Sequence, residues 1–331
     1  MKVIAQYTYS NKHAGPKAKM DVEKITASRF GADIKPFRCK KDANGGVSKL
    51  IYRLRKALYM LVNRFDKTDI LLIQAPFTKK SAIRFPSDRR IALIHDIDGL
   101  RNGDEAMARA ELDIISSCDV VISHNSRMSD YLRKNGVGAQ LVDLEVFDYL
   151  CEGDAKLRTK SFEAPRIVYA GNLEKSKFIH SIDVSEINYT FNLYGVGATV
   201  DINGKMCYKG AFSPDELPDM LEGDIGLVWD GDIDGRDADV QFKNYTRYNN
   251  PHKLSCYIAA GLPVIVWSQS AAAEFVNKYG IGYTVSGLYD INTLDFSDYD
   301  IKAKNAFELS KKIRRGDFTA AAVEKALAAV K

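Results

Sequence analysis

The sequence predicts two Rossmann-like α/β domains followed by helices, and three observations carry that reading. Short apolar runs such as ILLIQAPF, IALIHDI and VVISH recur along the first half, the pattern of parallel strands buried on both faces. Helix-spaced segments lie between them, the alternation of a doubly wound sheet. A polar, unperiodic stretch at 151–165, CEGDAKLRTKSFEAP, then interrupts the pattern before a second alternating series begins. The length of 331 residues suits two domains of about 150 residues each. We expect an N-terminal domain over 1–150, a linker over 151–165, a second domain over 166–300 and terminal helices over 301–331.

In chain order, strands are expected at 2–9, 32–38, 69–77, 90–96, 119–124 and 140–147. One helix opens at Pro16, a residue tolerated in a first turn, and ends at Gly31. Another covers 47–65, with Val47, Leu50, Ile51, Leu54, Leu58, Leu61, Val62 and Phe65 on one face. The second series places strands at 166–170, 190–194, 206–209, 225–229, 263–267 and 282–285, with helices around 215–222, 252–260 and 271–278. After Asp300 the chain reads as helix alone.

Composition bounds the function. Hydrophobic residues make up 46% and charged residues 27%, enough for two buried cores in a soluble protein. No apolar run approaches the roughly 20 residues of a bilayer span, and MKVIAQYTYS reads as a first strand with no signal-peptide h-region. A cytoplasmic protein is expected. The five cysteines are widely spaced without a C-x-x-C pair, which argues for a reducing compartment and against zinc. A net charge of +4 suits anionic small molecules or an anionic membrane surface and falls short of a nucleic-acid-binding signature.

Ligands of open α/β sheets bind beyond the carboxyl ends of the strands, so chemistry is sought there. In YNNPHKLSCYIAAGLPVIVW, Asn249 or Asn250 is placed to cap a helix, Pro251 suits its first turn, and Gly261 ends it. The N–H groups and partial positive charge of such a helix start hold phosphate, and Lys253 adds a full charge. An ordinary αβ unit with a solvated lysine explains the same pattern. Gly171 and Asn172 follow a strand and precede Lys175 and Lys177, as a pyrophosphate clamp or as a plain surface loop. Tyr208, and less so Tyr194, offer a ring on which a base stacks. Asp230 ends a strand where sugar hydroxyls could be bound. In the first half, His95-Asp96-Ile97-Asp98 follows an apolar strand, and a carboxylate or imidazole there serves as general base. Asp96 is favoured, then His95, with His13 of the SNKHAGPK loop third; Gly15 of that loop permits close backbone approach to a ligand. A metal site and an N-cap role for Asp98 are the competing readings.

The stretch Tyr248–Trp267 resembles the donor motif of GT-B glycosyltransferases, P-x-K-x-x-E-x-x-A-x-G-x-P-V-I, with Pro251, Lys253, Ala259, Gly261, Pro263, Val264 and Ile265 matching. With HDID and Arg101, CDVVISHNSRMSDYL, YAGNLEKSKF and YKGAFSPDELP, the chain is similar to a bacterial group that includes a glucosyltransferase of adhesin glycosylation and β-1,6-galactofuranosyltransferases. The resemblance implies a GT-B fold, two Rossmann-like domains facing across a cleft with the last helices crossing back to the first. It also implies a UDP-sugar donor held by the lysine-bearing helix through Tyr248, Asn249, Asn250, Pro251, His252, Lys253 and Ser255, and a glycan acceptor in surface polysaccharide or glycoprotein synthesis. No metal and no cofactor beyond the donor are expected. Tyr248 and Cys256 occupy the positions of the acidic pair in the E-x7-E motif of many retaining enzymes, which favours inversion.

Two further expectations concern partners. Lys40, Lys41, Lys49, Arg53, Arg55, Lys56 and Arg64 make the 40–64 region basic, as peripheral contact with anionic lipid near a lipid-linked acceptor would need; a solvated helix face is the alternative. A homo-oligomer is compatible with the pattern. A sugar-nucleotide-modifying enzyme would want G-x-G-x-x-G after the first strand, which YTYSNKHAG lacks. A non-catalytic partner of the same fold stays open, and the lysine and asparagine of the donor site argue against it.

Overall fold

A computed structural model describes residues 1–5, 16–36, 46–74, 77, 85–197, 204–231, 233 and 245–330. The described residues form two compact units, one of 1–144 with 319–330 and one of 145–318.

The first unit is built on a parallel sheet of β1 (Lys2–Ala5), β2 (Asp33–Pro36), β3 (Ile70–Gln74), β4 (Arg89–Leu93), β5 (Val120–Ser123) and β6 (Gln140–Asp143). Their order is β2-β1-β3-β4-β5-β6, so the direction of winding reverses between β1 and β3. Its helices are α1 (Lys17–Phe30), α2 (Gly46–Val62), α3 (Asp98–Asn102), α4 (Glu105–Ile115) and α5 (Ser126–Lys134). The strands formed where the apolar runs predicted them. Val120 to Ser123 is buried throughout, as two-sided coverage requires.

The 47–65 helix corrects the reading of its face. Leu54, Leu58, Leu61 and Val62 are among the most exposed large apolar side chains, while Lys56 is buried with its ammonium 4.1 Å from the Phe85 ring centroid. Tyr59 and Phe65 join Phe85 in an aromatic cluster with centroids 5.1–6.5 Å apart. The helix is therefore anchored by lysine stem and aromatic rings, and its leucine stripe faces outward.

The second unit holds β7 (Arg166–Ala170), β8 (Thr190–Tyr194), β9 (Met206–Gly210), β10 (Ile225–Val228), β11 (Val264–Trp267) and β12 (Gly282–Val285), all parallel, in the order β12-β11-β10-β7-β8-β9. The reversal here lies between β7 and β10, the Rossmann arrangement. Helices α6 (Lys177–Ser181), α7 (Leu217–Met220), α8 (His252–Ala259), α9 (Ala271–Tyr279) and α10 (Tyr299–Arg315) cover it. The last helix, α11 (Asp317–Ala329), begins here and continues into the first unit from Thr319.

Helix α8 is the pivot of this unit. Its Leu254, Tyr257, Ile258 and Ala259 are wholly buried, and Arg314 of α10 donates to the Ala259 carbonyl at 2.7 Å, satisfying one orphan acceptor at the helix end. Gly261 then turns the chain at φ +73°, where a Cβ would lie 2.4 Å from the Lys156 carbonyl oxygen. On the sheet beneath, a Cβ on Gly226 would fall 2.5–2.8 Å from three carbons of Tyr257. The tyrosine therefore seats flat against bare backbone.

Gly226→Ala should destabilise the protein by about 1–3 kcal/mol, the cost of overpacking a dense core. Urea unfolding measures it. An unchanged midpoint would mean that α8 can retreat without loss and is not the pivot described.

Candidate functional site

The carboxyl ends of β7 and β10 meet at the reversal of the second sheet, and one side chain spans them. Lys253, second residue of α8, is one-fifth exposed. Its Nζ donates to the Tyr169 hydroxyl (2.9 Å), the Trp229 carbonyl (3.0 Å) and Asp230 Oδ1 (2.9 Å). An ammonium has three N–H groups, so all three are matched. Burial alone would lower its pKa, but the Asp230 carboxylate and the Tyr169 and Tyr257 hydroxyls outweigh that, and the pKa stands above the ordinary lysine value. Lys253 is charged throughout the physiological range.

The same bonds extend into the loop after β7. Tyr169 shares a 2.7 Å hydrogen bond with Ser176 Oγ, which donates to the Asn172 carbonyl at 2.8 Å. Tyr257 accepts from the Ala170 N–H at 2.7 Å. Backbone bonds tie the strand ends in series, Gly171 N–H to the Tyr194 carbonyl and Gly195 N–H to the Gly210 carbonyl. Gly195 sits at φ +131°, and a Cβ there would lie 1.8 Å from the Gly171 carbonyl oxygen. Only glycine permits that approach.

Helix α8 starts without a side-chain cap. Pro251 itself is the capping residue, in extended geometry (φ −65°, ψ 141°). This corrects the capping role expected of Asn249 or Asn250. Asn250 is buried and donates to the Glu145 carbonyl, bracing the loop. The buried Oδ1 of Asn249 has no hydrogen-bond partner. Tyr248 is half-buried. His252 stacks on Tyr149 (centroids 4.8 Å apart, 26° between planes) and meets Phe147 edge-on, so it packs as an aromatic. Ser255 is fully buried in α8, with no partner for its hydroxyl.

The remaining donor-side expectations separate by exposure. Asn172, Lys175 and Lys177 are exposed, and Asn172 Oδ1 is engaged locally by the Lys175 N–H at 3.0 Å. Tyr208 is 36% exposed, its hydroxyl donating to the Gly195 carbonyl at 3.0 Å, so its ring is presented at the strand ends. Tyr194 is 1% exposed and its hydroxyl accepts from the Glu222 N–H. It is a core residue, and the stacking role suggested for it is withdrawn. The sequence pattern carries no signal for Tyr169, which lies inside β7, or for Gly195 and Trp229, which act through close backbone approach and a carbonyl just past their strands.

In the first unit, His95 and Asp96 follow β4 as expected. His95 Nε2 lies 2.8 Å from Gln74 Oε1 at the end of β3. Asp96 is 39% exposed, with a long 3.4 Å contact to Arg101. Lys19 of α1 joins them electrostatically: burial pushes its ammonium down to about 8, against the opposing pull of Asp96, Asp98 and Glu23. Asp98 does not cap α3. The buried carboxylate of Glu111 on α4 does so, accepting from the Asp98 and Gly99 N–H groups at 3.2 and 2.8 Å. Among the described residues, no three or more His, Cys, Asp or Glu side chains group as metal ligands. His13 and Gly15 lie outside the described residues.

The family described as glucosyltransferase 3-like matches over both halves, its N-terminal domain at residues 1–146 and its C-terminal domain at 167–326. The β-1,6-galactofuranosyltransferase WbbI of Escherichia coli K12 is 30% identical over 335 residues, 96% of each chain. Glucosyltransferase 3 of Streptococcus gordonii is 26% identical over 246 residues, 72% of this chain and 71% of that protein. Among solved structures, Anabaena HepE in complex with UDP and glucose is similar in fold, with a TM-score of 0.60 at 13% identity, covering 99% of both chains.

His124 at the end of β5 supports the first site from below. It is 3% exposed, and its Nε2 lies 2.9 Å from the His95 carbonyl, to which it donates. Burial pushes its pKa from 6.5 down to about 4. The folded state thus binds this proton less readily than the unfolded chain. Its stabilising contribution is complete above pH 6.5 and is lost as pH falls towards 4. Between pH 7.5 and 4.5 the loss should reach roughly 2–3 kcal/mol. His124→Gln, which keeps an N–H donor, should flatten that part of the acid profile in urea titrations; a variant as acid-sensitive as the parent refutes the assignment.

Proposed function

The chain belongs to the glucosyltransferase 3-like family of GT-B glycosyltransferases, and from that premise we propose that it moves a hexosyl group from a UDP-sugar to a glycan acceptor. It is a glycosyltransferase. The observation that carries the donor assignment is the Lys253 ammonium at the β7–β10 reversal, beside an uncapped helix start. A diphosphate meets a full charge, the positive end of a helix and the glycine-permitted backbone of Gly195 there. The sugars in the names of the relatives, glucose and galactofuranose, are the two we propose for the donor.

Binding requires an exchange. Lys253 has no spare N–H, so a donor phosphate must replace one acceptor, and Asp230 is the outermost and most exposed of the three. Its carboxylate is then released to sugar hydroxyls, which keeps it in the donor site. Tyr208 presents the ring for the base. Lys175 and Lys177 stand in solvent near the loop after β7 and supply long-range attraction to the diphosphate.

For the acceptor we assign the base to Asp96 of the first unit. It is partly exposed, follows a buried strand and lies 3.4 Å from the Arg101 guanidinium. His95 is engaged with Gln74 and ranks second; His13 is the third candidate. Cys256 is 4% exposed within the core and Tyr248 carries no carboxylate, so the acidic pair of many retaining enzymes has no counterpart. We infer inversion, with a glycan acceptor.

UDP should raise the melting temperature without added divalent metal, by about 2.7 kcal/mol of stability at 100 times its dissociation constant. Strict dependence on magnesium or manganese would overturn this charge assignment. Lys253→Met should weaken UDP binding by about 1.5–3 kcal/mol and also lower the melting temperature, since Tyr169 and Trp229 lose their shared donor. Unaltered UDP affinity in the folded variant removes Lys253 from the donor site.

Asp96→Asn should cut transfer from a UDP-sugar by about 100-fold or more while UDP affinity stays at the parental value. His95→Ala and His13→Ala tested beside it rank the rivals. Transfer at the parental rate rejects Asp96 as base, and a retained anomer by NMR rejects the inverting scheme.

A further inference from the structure

Among the described residues, helix α2 carries a buried side and an exposed apolar side. Its inner side is fixed by Lys56, Tyr59 and the Phe65–Phe85 pair. On its outer side Leu54, Leu58, Leu61 and Val62 are 61%, 61%, 76% and 69% exposed. Their spacing of i, i+4, i+7 and i+8 aligns them along one helical stripe. A contiguous exposed stripe of this kind marks an interaction surface.

The charge around the stripe identifies what it meets. Arg53, Arg55, Arg64 and Lys67 are exposed beside it, and no Asp or Glu occurs between Asp42 and Asp66. Five basic residues, Lys49, Arg53, Arg55, Lys56 and Arg64, fall in that interval. A second copy of this face would oppose arginine to arginine in an isologous pairing. An anionic bilayer surface complements both features. Leucines enter the acyl boundary while arginine stems reach back to the headgroups. No helix among the described residues is long and apolar enough to cross a membrane, so the contact is one of lying on the surface.

We propose that the outer face of α2 docks this protein on an anionic lipid surface, with Leu54, Leu58, Leu61 and Val62 inserted and Arg53, Arg55 and Arg64 on the headgroups. The inference is independent of the donor-site reading, because it rests on residues of the first unit and that reading on residues of the second. Docking would bring a lipid-linked acceptor and the enzyme onto one surface.

The test is sedimentation of the full chain with vesicles of phosphatidylcholine alone or with roughly one-third phosphatidylglycerol. Binding should require the anionic lipid and weaken as salt rises from about 0.1 to about 0.5 M. Leu58→Ser/Leu61→Ser should lower the partition coefficient by about tenfold or more. Arg53→Gln/Arg55→Gln should lower it by about fivefold per charge removed. All four side chains are exposed, so both variants should melt with the parent. The proposal is overturned if the parent sediments no better with anionic vesicles than with neutral ones, or if the variants bind as the parent does. It is equally overturned if sedimentation equilibrium shows a dimer that the leucine variant dissolves while vesicle binding is absent, since the stripe then belongs to a second copy.

Discussion

Burying a lysine ammonium is costly unless each of its N–H groups finds an acceptor, and the second unit is organised around meeting that demand for Lys253. Its three partners come from a strand interior (Tyr169), a strand-end carbonyl (Trp229) and an exposed carboxylate (Asp230). They lie on β7 and just past β10, the strands that flank the reversal of the sheet. A positive charge is thereby fixed at the one place where adjacent crossovers depart to opposite sides and leave the strand ends open. The fold supplies the opening; the lysine supplies the charge.

Holding that lysine in register constrains what surrounds it. Tyr257, one turn further along α8, accepts from Ala170 and must lie flat on Gly226 to do so. The loops after β7 and β8 must touch, which Gly195 alone allows. At the other end of the loop leading into α8, Asn250 is braced on the carbonyl of Glu145. Glu145 holds a left-handed φ of 68°, a conformation that costs a non-glycine residue roughly a kcal/mol or more. Its carboxylate repays part of this by accepting from Lys278 at 2.6 Å and Tyr279 at 3.0 Å. Strain at the first residue of the unit thus helps to set the helix start.

Much of this architecture was legible in the residues because strands covered on both faces must be apolar throughout, as in VVIS and VIVW. The position of Lys253 was legible too, from Pro251 before it and Gly261 after it. Its burial was not. The carboxylate that permits it, Asp230, lies 23 residues upstream, and only the parallel crossover brings them together. Helix α2 shows the complementary limit. Periodicity reports which residues share a face, but whether that face is covered depends on distant residues such as Phe85. Tyr194 and Tyr208 read alike as aromatics near strand ends, yet one points into the core and the other outward. The parity of each strand, set by its register with its neighbours, decides that.

The loss of the E-x7-E pair follows the same packing logic. Cys256 lies in a dense cluster with Leu254, Tyr257 and Ile258, where the longer, charged side chain of a glutamate would have to be desolvated. Position 248 offers an aromatic ring in a half-buried setting. Among the described residues of α8 and the loop before it, Lys253 is the cation that donates to the ends of β7 and β10. The nearest carboxylate to it, Asp230, arrives from β10 and is held by the lysine itself. On the proposed donor site, phosphate binding and hydroxyl reading would be coupled through this one ion pair, where an acidic pair on the helix would keep them separate.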